Sequence, residues 1–209
     1  MRKALFALPF VALSLVAARD APPPTQALSL VPPAAIAADP SNKLTLELSN
    51  GGKVVILLRP DAAPNHVHRI QELVQRGFYN GTPFHRVIPG FMAQGGDPKG
   101  TGQGGSELPD LKAEFNSLPH MRGTFAMARA ENPDSANSQF YIAFGPKTSL
   151  DRKYTVMGRV IAGMDAVDHI AVGEPPAEPT KIVRASLEAA PTVAAAPAPA
   201  EAAPAPTGG

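Results

Sequence analysis

Between residues 41 and 188, glycine and proline cut the chain into short runs, most of them too short to be helices. No other feature constrains the fold as much. The run "KLTLELS" alternates apolar and polar side chains, Asn50-Gly51 is a favoured tight-turn pair, and "KVVILL" returns, so the region opens on a hairpin. Further strand-like runs cover 84–88, 91–94, 124–129, 139–143, 154–160 and 182–187. Pro64 suits the first turn of a helix in which Val67, Ile70 and Val74 recur at helical spacing and Gly77 marks the end. A second helix is expected over 164–171, where Met164, Val167 and Ile170 share a face. Many short strands, two helices and long Gly-rich loops predict a mainly β domain. The expected form is a closed or nearly closed antiparallel barrel with helices over its open ends.

The ends of the chain read differently. Arg2 and Lys3 precede an uncharged apolar run over 4–18, shorter than the roughly 20 residues a membrane span needs. Val16-Ala17-Ala18 suits signal peptidase, so 1–18 is expected to be a signal peptide and the periplasm the destination, with no membrane association after cleavage. Residues 19–40 are Pro/Ala-rich and read as an extended linker; 189–209 read as a disordered Ala/Pro tail. Neither shows an apolar pattern for docking, so both are expected to be dispensable for folding of the 41–188 domain.

Composition excludes several chemistries. Nineteen basic and eighteen acidic side chains give a net charge of +1, and no Lys/Arg-rich run suggests nucleic acid as a partner. The absence of cysteine removes disulfides, thiol nucleophiles and cysteine-ligated zinc. His66 and His68 lie two apart on a predicted helix and so do not share a face, which disfavours a metal pair. The Gly-rich "KGTGQGG" lacks the lysine-Ser/Thr ending of a phosphate loop, and no Gly-x-Ser-x-Gly elbow occurs. No metal or cofactor is expected.

What remains is one guanidinium in an apolar run, Arg86 in "FHRVIPGFMAQGGD". Successive strand residues face opposite ways, so Phe84, Arg86 and Ile88 are expected on one face and His85 and Val87 on the other. Met92 pairs with Gln94, and Gln139 with Tyr141, by the same rule. Three strands are thus expected to offer a polar-and-apolar surface of Arg86, Gln94, Gln139, Phe91, Met92, Met127 and Tyr141.

That run, followed in order by "GTGQGG", "GTFAMARA", "SQFYI" and "LDRKYTVMGRV", resembles the cyclophilins over essentially all of 41–188. The resemblance implies an eight-stranded antiparallel β-barrel, closed and capped by two α-helices, acting as a peptidyl-prolyl cis-trans isomerase. It implies proline-containing peptides and unfolded or exported proteins as partners, and a monomer. It maps a catalytic arginine onto Arg86 and a proline pocket onto Phe91, Met92, Tyr141 and Leu150, with His85 nearby. Gln94 takes the backbone-binding role and Gln139 the second glutamine's. Ala128 and Arg129 fall where residues before proline run, Met127 belongs to the expected substrate-binding surface, and Tyr154 stands where many members have histidine. Ser149 replaces the tryptophan of cyclosporin-sensitive members, which puts drug binding in doubt. Arg129 replaces a frequent asparagine, which implies a preference for acidic flanking residues. The alternative from another class is a proline-peptide binding module with negligible turnover; retention of Arg86, Phe91 and Gln94 favours the enzyme.

Overall fold

A computed structural model describes residues 27–188. After a short helix α1 (Ala34–Ala38) come β1 (Lys43–Leu48), β2 (Lys53–Leu58), α2 (Pro64–Gln75), β3 (Arg86–Ile88) and β4 (Met92–Gly95). Then follow β5 (Thr124–Met127), β6 (Phe140–Ala143), β7 (Val156–Ala162), α3 (Met164–Asp168) and β8 (Ile182–Leu187). All eight strands join one antiparallel sheet in the order β3-β4-β6-β5-β7-β2-β1-β8. The expected hairpin is there, with Leu46 opposite Val54 and Gly51 at φ 83° in its turn.

The sheet curls around a core that includes Leu44, Leu46, Val54, Ile56, Leu58, Phe125, Phe140, Ile142 and Met157. It does not close into a barrel. Among the described residues no ladder joins the edge strands β3 and β8, so the architecture is an open, curled half-barrel. Scattered backbone bonds bring the two edges together, from Gly81 N–H to Ile182 O (2.7 Å) and from Phe84 N–H to Thr180 O (2.9 Å). Pro83 and Pro179 lie in these segments and cannot donate to a ladder, which explains why the edges touch without pairing regularly.

Helix α2 buries Val67, Ile70, Leu73 and Val74 and lies against β8. It ends as the sequence suggests. Gly77 takes φ 68°, its N–H bonds Val74 O, and Phe78 N–H reaches back to Leu73 O, a Schellman cap. Helix α3 stops at Asp168, three residues before its expected end, because the chain turns after His169 and brings Ile170 into the core by a turn rather than by another helical step.

The expected linker overlaps the described residues from 27 onward, and there it is not a free spacer. It carries α1, and Leu28 N–H donates to Ser117 Oγ at 2.8 Å. Ser29 O accepts from Arg59 Nη2 at 3.0 Å, and buried Asn42 donates to Ile36 O. Leu28 also packs against the apolar cluster that includes Leu118 and Val156, but most of the anchoring is by backbone groups, which leave no apolar pattern in the sequence. The signal-peptide and tail readings fall on 1–26 and 189–209, outside the described residues.

Three buried histidines make the fold acid-sensitive. Burial pushes His66, His85 and His120 below their ordinary 6.5, against the pull of neighbouring carboxylates. The neutral form is preferred in the folded state, so stability is complete above 6.5 and is lost as pH falls below it and the unfolded chain takes up protons. Burial acts to raise Glu114, Asp97 and Asp151, but the hydrogen bonds they accept prevail and hold each below the usual carboxylate range. Their contribution is lost at lower pH still. Thermal unfolding followed by circular dichroism is expected to show a lower midpoint at pH 5 than at pH 7, and a further fall below about pH 4. A midpoint flat from pH 7 to pH 5 contradicts neutral burial of these imidazoles.

Candidate active site

Register builds the site. Arg86 on β3 pairs with Gln94 on β4, Gln94 with Tyr141 on β6, and Tyr141 with Ala126 on β5. One row thus crosses four strands. The neighbouring row, Val87, Ala93, Ile142 and Phe125, points the opposite way, into the core. Side chains of the first row therefore face outward, where Met92, Ala126, Tyr141 and Val156 form a second apolar cluster with Phe91, Leu150 and Tyr154 at its margin.

This outward face holds a cavity of about 110 Å³. Phe91, Met92, Tyr141, Leu150 and Tyr154 give it apolar walls, and Arg86, Gln94, Ala128 and Arg129 complete its lining. A wider cavity of about 510 Å³ adjoins it, sharing Gln94, Ala128 and Arg129 and adding Gln139 and the Gly-rich loop. The structure thus brings together ten of the twelve residues expected at the site.

Two stand elsewhere. Met127 is buried in the core opposite Phe140; Ala126, one residue earlier, holds the outward position. His85 is buried beside the Gly-rich loop, and neither ring nitrogen has a hydrogen-bond partner. Phe84 does not share a face with Arg86 as expected. The regular strand begins only at Arg86, and the irregular residues before it turn Phe84 into the core.

The loop beside the site is held by a carboxylate. Asp97, fully buried, accepts the N–H groups of Lys99, Thr101, Gly102 and Gly104. Gly104 sits so close that a β-carbon would collide with that carboxylate. Gln139 Nε2 then donates to Gly102 O at 2.9 Å and to Gly104 O at 2.8 Å, and its Oε1 accepts from Gln94 Nε2 at 2.9 Å. Both glutamines are thereby oriented toward their groove.

Arg129 does not offer itself to an acidic partner as expected. Nε and Nη2 donate to Lys153 O, and Nη1 donates to Ala130 O and Glu131 O. Its guanidinium lies 4.6 Å from the centre of the Tyr154 ring, so it braces that wall of the cavity.

Under Tyr141 lies a chain the sequence reading missed. The Tyr141 hydroxyl is 2.9 Å from His120 Nε2, and His120 Nδ1 is 2.9 Å from Asp151 Oδ1. That same carboxylate oxygen accepts the His120 backbone N–H at 2.8 Å. An ionised Asp151 only accepts, so the neutral His120 ring carries its proton on Nδ1, and Tyr141 donates to the bare Nε2. Burial pushes the Tyr141 phenol far above its usual range, so it keeps that proton. No spacing rule links residues 120, 141 and 151. Glu174, whose carboxylate reaches Arg86, is missed as well. Among the described residues no group of three or more His, Cys, Asp or Glu stands where it could hold a metal ion.

The comparisons agree with this geometry. Residues 43–187 match the family of cyclophilin type peptidyl-prolyl cis-trans isomerase/CLD. A probable peptidyl-prolyl cis-trans isomerase of Brucella suis biovar 1 is 47% identical over 205 residues, covering 90% of this chain and 97% of that protein. Peptidyl-prolyl cis-trans isomerase B of Bacillus subtilis is 40% identical over 129 residues, covering 61% of this chain and 89% of its own. A cyclophilin from Hirschia baltica superposes with a TM-score of 0.66 at 32% identity, covering 71% of this chain and 74% of that one. A Cryptosporidium parvum cyclophilin type isomerase, solved in the presence of the dipeptide Ala-Pro, superposes at 0.65 and 26% identity, covering 71% of this chain and 99% of that one. The chain belongs to the cyclophilin-type peptidyl-prolyl cis-trans isomerases. It is an enzyme that interconverts X–Pro isomers in proline-containing peptides.

Replacing Tyr141 with Phe keeps the ring but strands the buried His120 Nε2. The expected cost is about 1 kcal/mol of unfolding free energy in urea, with isomerase activity within a few-fold of the parent. Unchanged stability counts against the hydroxyl–imidazole bond.

Proposed function

We propose that Arg86 is the residue that stabilises the twisted prolyl amide, with Phe91, Met92, Tyr141 and Leu150 holding the proline ring and Gln94 the substrate backbone. The observation that carries this is the placement of Arg86 and Gln94 in one row beside an apolar cavity of about 110 Å³. Rotation about a peptide bond is slow because resonance sets a barrier of about 18–20 kcal/mol. No bond is made or broken, so neither nucleophile nor metal is required. The catalyst has to bind the twisted amide better than either planar form.

On twisting, the prolyl nitrogen regains a lone pair and becomes pyramidal. An arginine suits that atom, or the carbonyl oxygen, because it stays charged and its donors form a rigid plane. The apolar walls hold the ring while Gln94 anchors the backbone, so rotation is confined to one bond. Lowering the barrier by about 7 kcal/mol accelerates exchange on the order of 10⁵-fold. A charge-assisted contact in a site of reduced dielectric, added to anchoring, is of that order.

The biological setting proposed is the folding of exported proteins in a bacterial periplasm. Its support is the N-terminal pattern of Arg2, Lys3 and the apolar run over 4–18. A fusion of residues 1–40 to a reporter tests it: export to the periplasm is expected, and cytoplasmic retention removes the proposal.

Arg86→Ala is expected to lose most isomerase activity while its unfolding temperature stays close to the parent's. Arg86→Lys is expected to be poor as well, since a point charge on a flexible stem lacks the planar fork. A coupled proline-peptide assay reads both, and activity within a few-fold of the parent in Arg86→Ala sinks the assignment.

Cyclosporin is expected to inhibit weakly. Ser149 is an exposed residue in the turn Thr148–Leu150, next to the cavity residue Leu150, and offers no indole for packing. Ser149→Trp is expected to tighten inhibition; low-nanomolar inhibition of the parent protein contradicts this.

A further inference from the structure

Glu174 lies in the segment that leads from α3 to β8. Just before it, Gly173 forms an antiparallel bridge to Val87. Val87 N–H donates to Gly173 O at 2.8 Å, and Gly173 N–H donates to Val87 O at 3.1 Å. Val87 adjoins Arg86, so this bridge delivers residue 174 to the flank of the site arginine. The path is tightly constrained: at Gly173, with φ 149°, a β-carbon would meet Pro176 Cα at 2.5 Å. Glu174 Oε2 then stands 2.7 Å from Arg86 Nε.

We propose that Glu174 is a positioning residue for Arg86, holding the guanidinium by its Nε–H so that the Nη edge faces the prolyl site. This rests on the role given to Arg86 above. The guanidinium is planar, so an acceptor at Nε restricts the orientation of all five donors at once. Among the described residues the Nη atoms of Arg86 make no hydrogen bond, which leaves that edge to the substrate.

A carboxylate beside a catalytic cation has an opposite effect as well, since it weakens the positive field at the amide. Exposure decides between the two. The side chains are 42% and 51% exposed, so water and salt screen the field. The geometric restraint is not screened in the same way. The pair's contribution to fold stability is small for the same reason, so its effect belongs in turnover rather than in unfolding.

The test uses the full chain in a peptide isomerisation assay. Glu174→Ala is expected to lower kcat roughly two- to five-fold, the range an exposed ion pair supports, with KM and unfolding temperature little changed. Glu174→Gln keeps an acceptor oxygen without the charge and is expected to recover at least half of the lost turnover. The Arg86 Nε–H resonance is expected to exchange faster with water in Glu174→Ala than in the parent. Higher activity in both variants overturns the proposal in favour of simple charge damping. Unchanged kcat in Glu174→Ala, alongside an inactive Arg86→Ala, overturns positioning alone. Near-parent activity in Arg86→Ala overturns the site reading itself, and positioning with it.

Discussion

The antiparallel register across β3, β4, β6 and β5 is the constraint on which the site depends. Because side chains alternate, the same four strands present Val87, Ala93, Ile142 and Phe125 inward and Arg86, Gln94, Tyr141 and Ala126 outward. A slip of one residue exchanges the two sets. It would drive a guanidinium and an amide into the core and expose a phenylalanine and an isoleucine. Burial of the inward row therefore holds the outward row in place. The energy that folds the sheet is also the energy that aligns arginine with glutamine.

Such alignment matters because isomerisation asks little of chemistry and much of geometry. A twisted amide differs from its planar forms only in the direction of a lone pair and a carbonyl. Groups that move with the substrate gain nothing from that difference. The surroundings of the cavity accordingly consist of braces. Asp97 gathers four N–H groups and holds the Gly-rich loop; Gln139 spans from that loop to Gln94. Arg129 spends its donors on carbonyls and supports Tyr154. Asp151, adjoining Leu150, reaches through His120 to Tyr141, so two walls of the cavity are linked by one chain of hydrogen bonds.

Period-two alternation and turn residues made the strands, the hairpin and α2 legible, since each is a local signal. The same rule failed where the backbone is irregular. Alternation pairs Phe84 with Arg86 only if the strand runs back to residue 84, and the regular strand starts at Arg86. Met127 was grouped with the site although Ala126 holds the outward place, because a run in which all four residues of β5 are buried carries no alternation to read. Closure is what the resemblance implies, and the strand pattern carries no signal that Pro83 and Pro179 withhold donors where the two edges meet. The segment before β1 is illegible because backbone groups and the single apolar side chain of Leu28 hold it, and neither makes a pattern. Glu174, His120 and Asp151 were missed for one reason: each acts on a residue distant in sequence, and nothing local marks such a pairing.

The arginines show what the fold adds to the sequence, which singles out Arg86 by its apolar run and its resemblance but says nothing of how each guanidinium is engaged. Arg59 is 5% exposed, with Asp61 on its fork and Ser29 O on Nη2. Arg69 is 6% exposed and donates to Pro109 O and Asn137 O. Both are buried, so their donors turn to partners within the protein, a carboxylate and carbonyl oxygens. Arg129 is nearer to solvent but equally committed to carbonyls. Among the described residues Arg86 is held only at Nε; it is partly exposed and lines an apolar-walled cavity. A guanidinium held at one end with donors left over at the other suits the role proposed for Arg86. It separates this arginine from three that serve the fold.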